Sequence, residues 1–529
     1  MSNDRFQVGD LPPILTAAAM READQHTIDS VGIAGSTLME SAGREVVRVA
    51  KELTPLGRDT HVVCLCGKGN NGGDGFVIAR YLAQAGAKVS VVSMSPRSAF
   101  KGDALLNLEI LYRLSEQDLV PFLKIDFFSD QLHYPENPDL IVDALLGTGL
   151  SSEVRPPLVS VIEWANEQSA RILSVDLPSG LSADSGAILG ITIEAHATVT
   201  LGSLKAGLLL GSGPDVCGEV RVADIGIPPA VLSSRALVPG CAFLSTDEYV
   251  RPRLSPRRRS GHKYSNGLSI VAGGSSSFPG AVTLAARGAA RAGSGYVICL
   301  APRSIRDLLL KKLDEIPVEG WEENASLSNV AKLIARLENR WTKAQALLVG
   351  PGLGRDPAAS TITRELLQHF DGPAVIDADA LFSLQDERDW VSKRADGNWI
   401  FTPHEGEFMR LAGEQKPSVN RIDMAQRFAC DWNVVVLLKG MPSITAAPDG
   451  RTVVNSTGNP SVSTAGSGDI LAGIVTGLLA QGLSAFEAAV CGVHVAGTAA
   501  DQFVEEHASQ SMVASDILDA LPRALLRFS

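Results

Sequence analysis

Short apolar runs that stop at glycine- or aspartate-rich turns, and then give way to helical spacing, recur along almost the whole chain. HVVCLC leads into GKGNNGGDG and then FVIARYLAQAG; KVSVVSM, LIVDALLGTG and RILSVDLPSG repeat the theme. Strands alternating with helices can bury both sheet faces in only a few ways, and the pattern predicts an α/β chain with a mostly parallel, doubly wound sheet. Ahead of these units, LTAAAM to VAKEL reads as two helices split at Gly32. After VADIGIPP the pattern breaks: Pro228, Pro229, Pro239, Pro252 and Pro256 predict an extended connector. It then restarts with GLSIVAGG, a small-residue helix VTLAARGAARAG suited to close packing, and the strands ALLVGPGLG, PAVIDADAL, WIFTPHEGE and VVVLLKG. SITAAPDGRTVVN reads as a hairpin around Asp449-Gly450. A chain of 529 residues exceeds one hydrophobic core. Two unrelated α/β domains are expected, 1–235 and 236–529.

The net charge of −12 opposes nucleic-acid binding, which needs a basic footprint. The one basic stretch, with Arg257, Arg258 and Arg259, reads as a solvated linker or as a clamp for anionic phosphates. The longest apolar run, near Ile470 to Ala480, is broken by glycines and too short to span a bilayer, so no membrane association is expected. Seven cysteines without framework spacing suit a reducing compartment. Cys64 and Cys66 lie on one face of a strand as buried thiols. The polar, acidic start MSNDRFQVGD carries no signal-peptide pattern, and a cytoplasmic location is expected.

Gly67, Gly69 and Gly72 satisfy G-x-G-x-x-G after a strand and before a helix, which alone predicts a dinucleotide site. Two details argue otherwise. VVSMSPRSAF offers no carboxylate where the ribose partner belongs, and the loop carries Asn70, Asn71 and Asp74. Asp74 reads either as a helix cap or as a site residue. Asp143 in VDALLGTG and Asp176 in SVDLPSG end two further strands, so three polar loops should converge where open α/β sheets bind ligands. Asn71, Asp143 and Ser179 offer hard oxygens for an alkali or alkaline-earth cation.

Met20, Arg21 and Asp24 (MR..D), then LMESAG, GNNGGDG, VDALLGTG, SVDLPSG and VADIGIP, occur in the order of the YjeF N-terminal domain family, which the chain resembles over roughly 14–229. The resemblance implies epimerisation of NAD(P)HX, the hydrated NADH or NADPH, between its R and S forms. It implies substrate contacts from Asn70, Asn71, Gly72, Gly73 and Asp74, from Gly147, Thr148, Gly149, Leu150, Ser151, Ser152 and Glu153, and from Asp176. A potassium ion would sit on Asn71, Asp143 and Ser179. Asp176 is the expected acid/base group.

In the second half, STAGSGD (Ser463 to Asp469) opens an apolar helix. Backbone N–H groups at such a start bind anions, and an aspartate there suits a base acting on a hydroxyl while Gly466 and Gly468 hold a phosphoryl group. The alternative for Asp469 is a helix cap. No G-x-x-x-x-G-K-[ST] is present. The loop resembles the G-A-G-D loop of ribokinase-like kinases. With NGLSIVAGG, GPGLGRD, VIDADAL, TPHEGE, LKG and NPSVSTAGSGD, the chain resembles the YjeF C-terminal domain family over roughly 245–525.

That resemblance implies a ribokinase-like domain that phosphorylates the ring hydroxyl of S-NAD(P)HX and eliminates phosphate to restore NAD(P)H. Ala281, Gly352, His404 and Asp469 would contact substrate; Lys439, Gly440, Met441, Pro442, Ser443 and Gly468 would contact nucleotide. His404 reads alternatively as a satisfied loop histidine. Asp377 and Asp379 organise magnesium or only bond a turn. Fused members of the family use ADP with Mg2+, so ADP is the expected donor and ATP the alternative. Family members commonly assemble, so a homo-oligomer is expected. Two rival readings remain: a vitamin or sugar kinase with an accessory domain, and a non-catalytic N-terminal binding module.

Overall fold

The computed structural model describes residues 11–529 except 121, 130–133, 255, 258, 323–326, 338 and 414–419, and it divides into two compact units, 1–241 and 242–529. Arg258 and the first ten residues lie outside the described residues.

The first unit contains β1 (Pro13–Leu15), β2 (His61–Cys66), β3 (Lys88–Ser93), β4 (Leu123–Phe127), β5 (Leu140–Ala144), β6 (Arg171–Val175), β7 (Ala197–Leu201), β8 (Leu204–Lys205) and β9 (Glu219–Ala223). Its main sheet runs β4-β3-β2-β5-β6-β7-β9, and every neighbouring pair is parallel. β2 is the strand from which the order winds outward in both directions, so the crevice between the carboxyl ends of β2 and β5 is the topological switch point. Val63, Leu65, Ile141, Leu145 and Ile172 pack with Val161 and Ile162 of helix Leu158–Asn166 in one wholly buried layer. Cys64 and Cys66 are buried free thiols, and burial pushes Cys64 up to about 12.

The leading helical segment forms Ala17–His26, one wide turn over Thr27–Val31, a stop at Gly32 with φ 85°, and Gly35–Leu53. The split at Gly32 follows from that positive φ, which glycine adopts without steric cost.

The second unit contains β10 (Ala242–Leu244), β11 (Leu268–Ala272), β12 (Tyr296–Pro302), β13 (Val318–Trp321), β14 (Ala346–Val349), β15 (Ala374–Ile376), β16 (Trp399–Phe401), β17 (Val435–Leu438), β18 (Ile444–Ala446) and β19 (Thr452–Val454). They follow the order β13-β12-β11-β14-β15-β16-β17-β18-β19-β10. The sheet is parallel from β13 to β17, and β17-β18-β19 is an antiparallel meander with the expected turn at Asp449-Gly450. Helices Pro279–Arg291 and Ser467–Ala480 meet backbone to backbone. A Cβ at Gly473 would stand 2.1 Å from the Ala285 carbonyl oxygen, and one at Gly288 would stand 2.7 Å from that of Ile470. The small residues of both helices are what this approach requires.

The connector reading is corrected. Pro229 opens a helix, Pro229–Arg235, and Pro252 sits in the first turn of a short helix over Arg251–Arg253. Proline lacks an N–H that the first helical turn does not use, so these prolines start helices instead of holding the chain extended. Leu232 is buried in the first unit, whose compact part extends to Cys241. In the basic stretch, Arg257 donates to the Gly293 carbonyl at 3.2 Å.

Candidate functional site

At the switch point of the first unit, a cavity of about 830 Å³ opens beside the loop that follows β2. The loop's glycines are there for packing. A Cβ at Gly67 would stand 1.9 Å from the Leu145 carbonyl oxygen, and one at Gly72 would stand 1.8 Å from that of Gly67. The helix that follows, Asn70–Gln84, takes Gly69 as its N-cap without a side-chain bond. Asp74 is therefore no cap: it sits past the first turn, 6 % exposed, and lines the cavity. Of the other expected contacts, Asn70, Asn71, Gly147, Thr148, Gly149, Leu150, Ser152, Glu153 and Asp176 line the cavity, while Gly72, Gly73 and Ser151 are not among its lining residues.

Asp176 follows β6 with φ 69°, a left-handed conformation that costs an aspartate on the order of 1–3 kcal/mol and that surrounding structure must hold. Here it is held from several sides. Its N–H donates to the Val199 carbonyl at 2.8 Å. Its Oδ1 accepts from Lys205 Nζ at 2.5 Å and from the Leu201 N–H at 3.2 Å. Lys205, 1 % exposed, also donates to the Leu201 carbonyl at 2.7 Å and to Thr200 Oγ1 at 3.1 Å, so all three ammonium hydrogens are used. The other oxygen, Oδ2, lies 3.2 Å from where a Cβ on Gly147 would be, and Asn71 Cγ lies 3.4 Å from the same point. The missing side chain of Gly147 leaves the space in front of both groups open.

Two further carboxyls share this cavity. Burial raises Asp74 well above the ordinary carboxylate range, with Asp176 and Asp24 adding to the rise and Lys205 opposing it. Burial raises Asp24 to about 6, with Lys205 opposing and Asp176 adding. Sequence reasoning quoted Asp24 only within a motif and missed Lys205 altogether. The available signal was a lone lysine in SLKAGLLL, a run otherwise of small and apolar residues.

Asp143 and Ser179 are both fully buried. Asp143 Oδ1 accepts from Ser179 Oγ at 2.5 Å and Leu145 N at 3.3 Å; Oδ2 accepts from Ser174 Oγ and Ser179 N, each at 2.8 Å. Both polar atoms of the Asn71 amide are buried without a hydrogen-bond partner.

In the second unit, helix Ser467–Ala480 starts at Gly466 (φ 93°), which makes no side-chain cap bond. Asp469 in the first turn is therefore not spent on capping. Burial raises it to about 7, with Asp377 adding and Lys439 opposing. Lys439 Nζ pairs with Asp377 Oδ1 at 2.9 Å and lies 3.2 Å from the Cβ position of Gly468. The lysine thus stands against the glycine turn. The carboxylates around it hold its ammonium above the usual range, although burial alone acts the other way. Between Asp377 and Asp379, Ala378 takes φ 51° and ψ −119°. Asp379 bonds a turn: its Oδ2 accepts from Gly354 N and its Oδ1 from Arg355 Nε, both at 2.9 Å.

The segment Lys439–Ser443 is a tight loop. Ser443 Oγ donates to the Gly440 carbonyl at 3.0 Å, and Arg421 donates to the Pro442 carbonyl at 2.9 Å. A Cβ at Gly440 would meet Arg421 Nη2, so that glycine permits the clasp. Met441 is half exposed at the tip. Gly352 and Ala281 are neighbours, since a Cβ on Gly352 would be 2.9 Å from Ala281 Cβ. His404 caps helix Glu405–Ala412: its Nδ1 accepts from Gly406 N at 3.0 Å and Glu407 N at 3.3 Å, and Glu407 reaches back to the His404 N–H. With Nδ1 accepting, the proton is on Nε2, and the ring is 62 % exposed.

Comparison with known proteins covers both units. Residues 35–207 match the family described as YjeF-related protein N-terminus, and residues 269–523 match the family described as NAD(P)H-hydrate dehydratase. The bifunctional NAD(P)H-hydrate repair enzyme of Salinibacter ruber is 43 % identical over 527 residues, covering 97 % of this chain and 96 % of the relative. The chain belongs to the family of bifunctional NAD(P)H-hydrate repair enzymes. The Escherichia coli member is 32 % identical over 507 residues, covering 95 % of this chain and 92 % of the relative. Among solved structures, an ADP/ATP-dependent NAD(P)H-hydrate dehydratase of Bacillus subtilis, co-crystallised with ATP/Mg2+, is 28 % identical over 54 % of this chain and 98 % of its own, with a TM-score of 0.45. Among the described residues no helix is long and apolar enough to cross a membrane.

Proposed function

We propose that the two units divide the family's repair chemistry. The first unit, extending to the division after Cys241, epimerises NAD(P)HX; the second dehydrates the S form at the expense of ADP. The observation that carries this reading is that each unit holds its own lysine–carboxylate centre beside a glycine turn: buried Lys205 with Asp176, and part-buried Lys439 with Asp377, close to Asp469. A kinase alone would need only the second.

In the second unit, Asp469 accepts the proton of the ring hydroxyl as that oxygen attacks the terminal phosphoryl group. A group raised to about 7 gives that proton up again readily near neutral pH. The N–H groups at the start of helix Ser467–Ala480 and the Lys439 ammonium stabilise charge on the transferring phosphoryl. Phosphate then leaves where hydroxide could not. ADP brought in with Mg2+ suits the Lys439–Ser443 loop and Gly468, with ATP the alternative donor. Ala281, Gly352 and the exposed ring of His404 form the substrate side.

In the first unit, Asp176 acts through the oxygen facing Gly147. The loops Asn70–Asp74 and Gly147–Glu153 grip the substrate around it. The orphaned amide of Asn71, taken with Asp143 and Ser179, suits a potassium ion, whose single charge matches one carboxylate among neutral oxygens. When bound, it supplies the partner that the Asn71 oxygen lacks. Its test is independent of activity: K+ should raise the melting temperature of the wild type more than Na+ does, and the difference should vanish in Asn71→Ala.

Supply of purified R-NADHX with Mg2+ and ADP, followed at 340 nm, tests the division of labour. Return of NADH requires both units in sequence. Return from S-NADHX alone would remove the epimerase half, and formation of a stable phosphorylated product would favour the plain-kinase reading. The basic stretch around Arg257 has no part in this reading, and assembly as a homo-oligomer in the cytoplasm remains the family-based proposal, read by light scattering of the purified chain and by fractionation of cells.

A further inference from the structure

Helix Ala17–His26 forms one wall of the epimerase cavity, contributing Met20, Arg21 and Asp24 to its lining. The helix is fixed at its N-terminal end. Thr16 Oγ1 caps it by accepting from Ala19 N at 3.2 Å, and the Ala17 N–H donates to Asp184 Oδ1 at 2.6 Å. Arg21 donates to the Thr148 carbonyl at 3.2 Å, tying the wall to the substrate loop Gly147–Glu153. Asp24 is three residues further along, on the same face as Arg21 and one turn from it. The groups that face it are Asp74 from helix Asn70–Gln84, Asp176 from the turn after β6, and Lys205 from β8. The other charges lining the cavity are Lys68, Asp103, Glu153 and Arg155.

Inverting a carbon that bears a hydroxyl needs a proton given on one face and taken on the other. Hydration of an enamine places the hydroxyl on the carbon bonded to the ring nitrogen, so that nitrogen can expel it once it is protonated. Asp176 is the ion-paired carboxylate, with one oxygen bound by Lys205 and the other facing the cavity. Where environments separate two titratable groups in this way, they are suited to opposite roles. Asp74 lines the same cavity, 6 % exposed, and burial pushes it well above the carboxylate range. Asp24 is partly open to the cavity and can exchange its proton.

Resting on the epimerase reading of this unit, we propose that Asp24 is a second catalytic residue, the acid that works opposite Asp176. Its carboxylic acid gives its proton to the substrate hydroxyl. The C–O bond breaks, water departs with the bonding pair, and the ring-nitrogen lone pair forms a C=N bond. Water then adds to the opposite face, its proton passing to the Asp176 carboxylate, and the C=N pair returns to nitrogen. The product is the other epimer, with Asp24 now ionised and Asp176 protonated. That state is the mirror of the first and runs the reverse conversion, and proton exchange with cavity water interconverts the two. No oxidant or reductant is consumed.

The test uses the full-length chain with purified R-NADHX, Mg2+ and ADP, with added dehydratase activity in excess so that epimerisation limits NADH return. Asp24→Asn should lower epimerase kcat by about 100-fold or more with KM changed by less than about threefold, the range for loss of a positioned acid. Its own dehydration of S-NADHX should persist and so report an intact chain. Asp24→Glu should recover part of the rate. In the wild type, kcat/KM for R-NADHX should fall with rising pH through about 6, where Asp24 loses its proton, and Asp24→Asn should lack that limb. Wild-type return of NADH with Asp24→Asn within threefold of it, or a wild-type profile flat from pH 5 to 8, overturns the proposal while leaving the epimerase reading in place. No return from R-NADHX even in the wild type would overturn the epimerase reading instead.

Discussion

The two sites solve the same electrostatic problem in opposite ways. Each sets a lysine against a carboxylate beside a glycine turn, yet in the first unit the buried Lys205 spends all its hydrogens on protein oxygens. In the second, Lys439 pairs with Asp377 but also stands against Gly468 at the helix start. In the proposed reading the first lysine orients a base and the second meets an anion. A hydrated ring with no charge developing on phosphate needs the former, and phosphoryl transfer needs the latter. The carboxyls proposed to work in each site are both raised because burial disfavours the charged form, Asp24 to about 6 and Asp469 to about 7.

The largest effects should come from deleting the working carboxylates, because each deletion should strike one activity only. Asp469→Asn should lower dehydratase kcat by about 100- to 10,000-fold while epimerisation continues, and Asp176→Asn should do the converse. Measuring both activities on both variants checks this, and parallel loss would break the division between units. Next comes Lys205→Met. Removing one partner of a buried ion pair costs about 3–5 kcal/mol, so unfolding of the first unit should move to distinctly lower denaturant, with epimerase activity lost. A Lys205→Met chain of wild-type stability would contradict the orienting role.

A pH series separates the two sites more finely. Dehydratase kcat/KM should rise through about 7 as Asp469 loses its proton and becomes a base, while the epimerase falls through about 6. The two curves should cross, and curves that moved together would erase the contrast. Smaller still is Gly147→Ala. Its methyl would stand 3.2 Å from Asp176 Oδ2, so epimerase kcat/KM should drop about tenfold at unchanged stability. The smallest expected change is His404→Ala, which removes a helix cap worth about 1 kcal/mol and one contact on the substrate side.

Periodicity made most of the fold legible. The apolar runs became strands, Gly32 split the leading helices, and Asp449-Gly450 turned a hairpin, because each rests on local rules of spacing and φ. The connector was misread because proline carries two meanings, extended chain before it and helix start at it, and only packing of Leu232 decides between them. The strand-end aspartates were legible because open sheets present their carboxyl ends to ligand. Lys205 was not: it reaches Asp176 from 29 residues away, and no spacing rule links them. Asp24 was visible as a motif letter but not as a site carboxyl, since its meaning comes from three charges brought in by other elements. His404 takes the capping role that a loop histidine can fill, with its ring still 62 % exposed.

The central claim is that one chain carries two independent acid–base centres acting in sequence on one damaged cofactor. The most direct measurement mixes Asp469→Asn chain with Asp176→Asn chain and follows NADH return from R-NADHX with Mg2+ and ADP. Each variant alone should return almost nothing, the first because it cannot dehydrate and the second because it cannot epimerise. The mixture should return the full pool. A mixture as inactive as either variant alone would contradict the account.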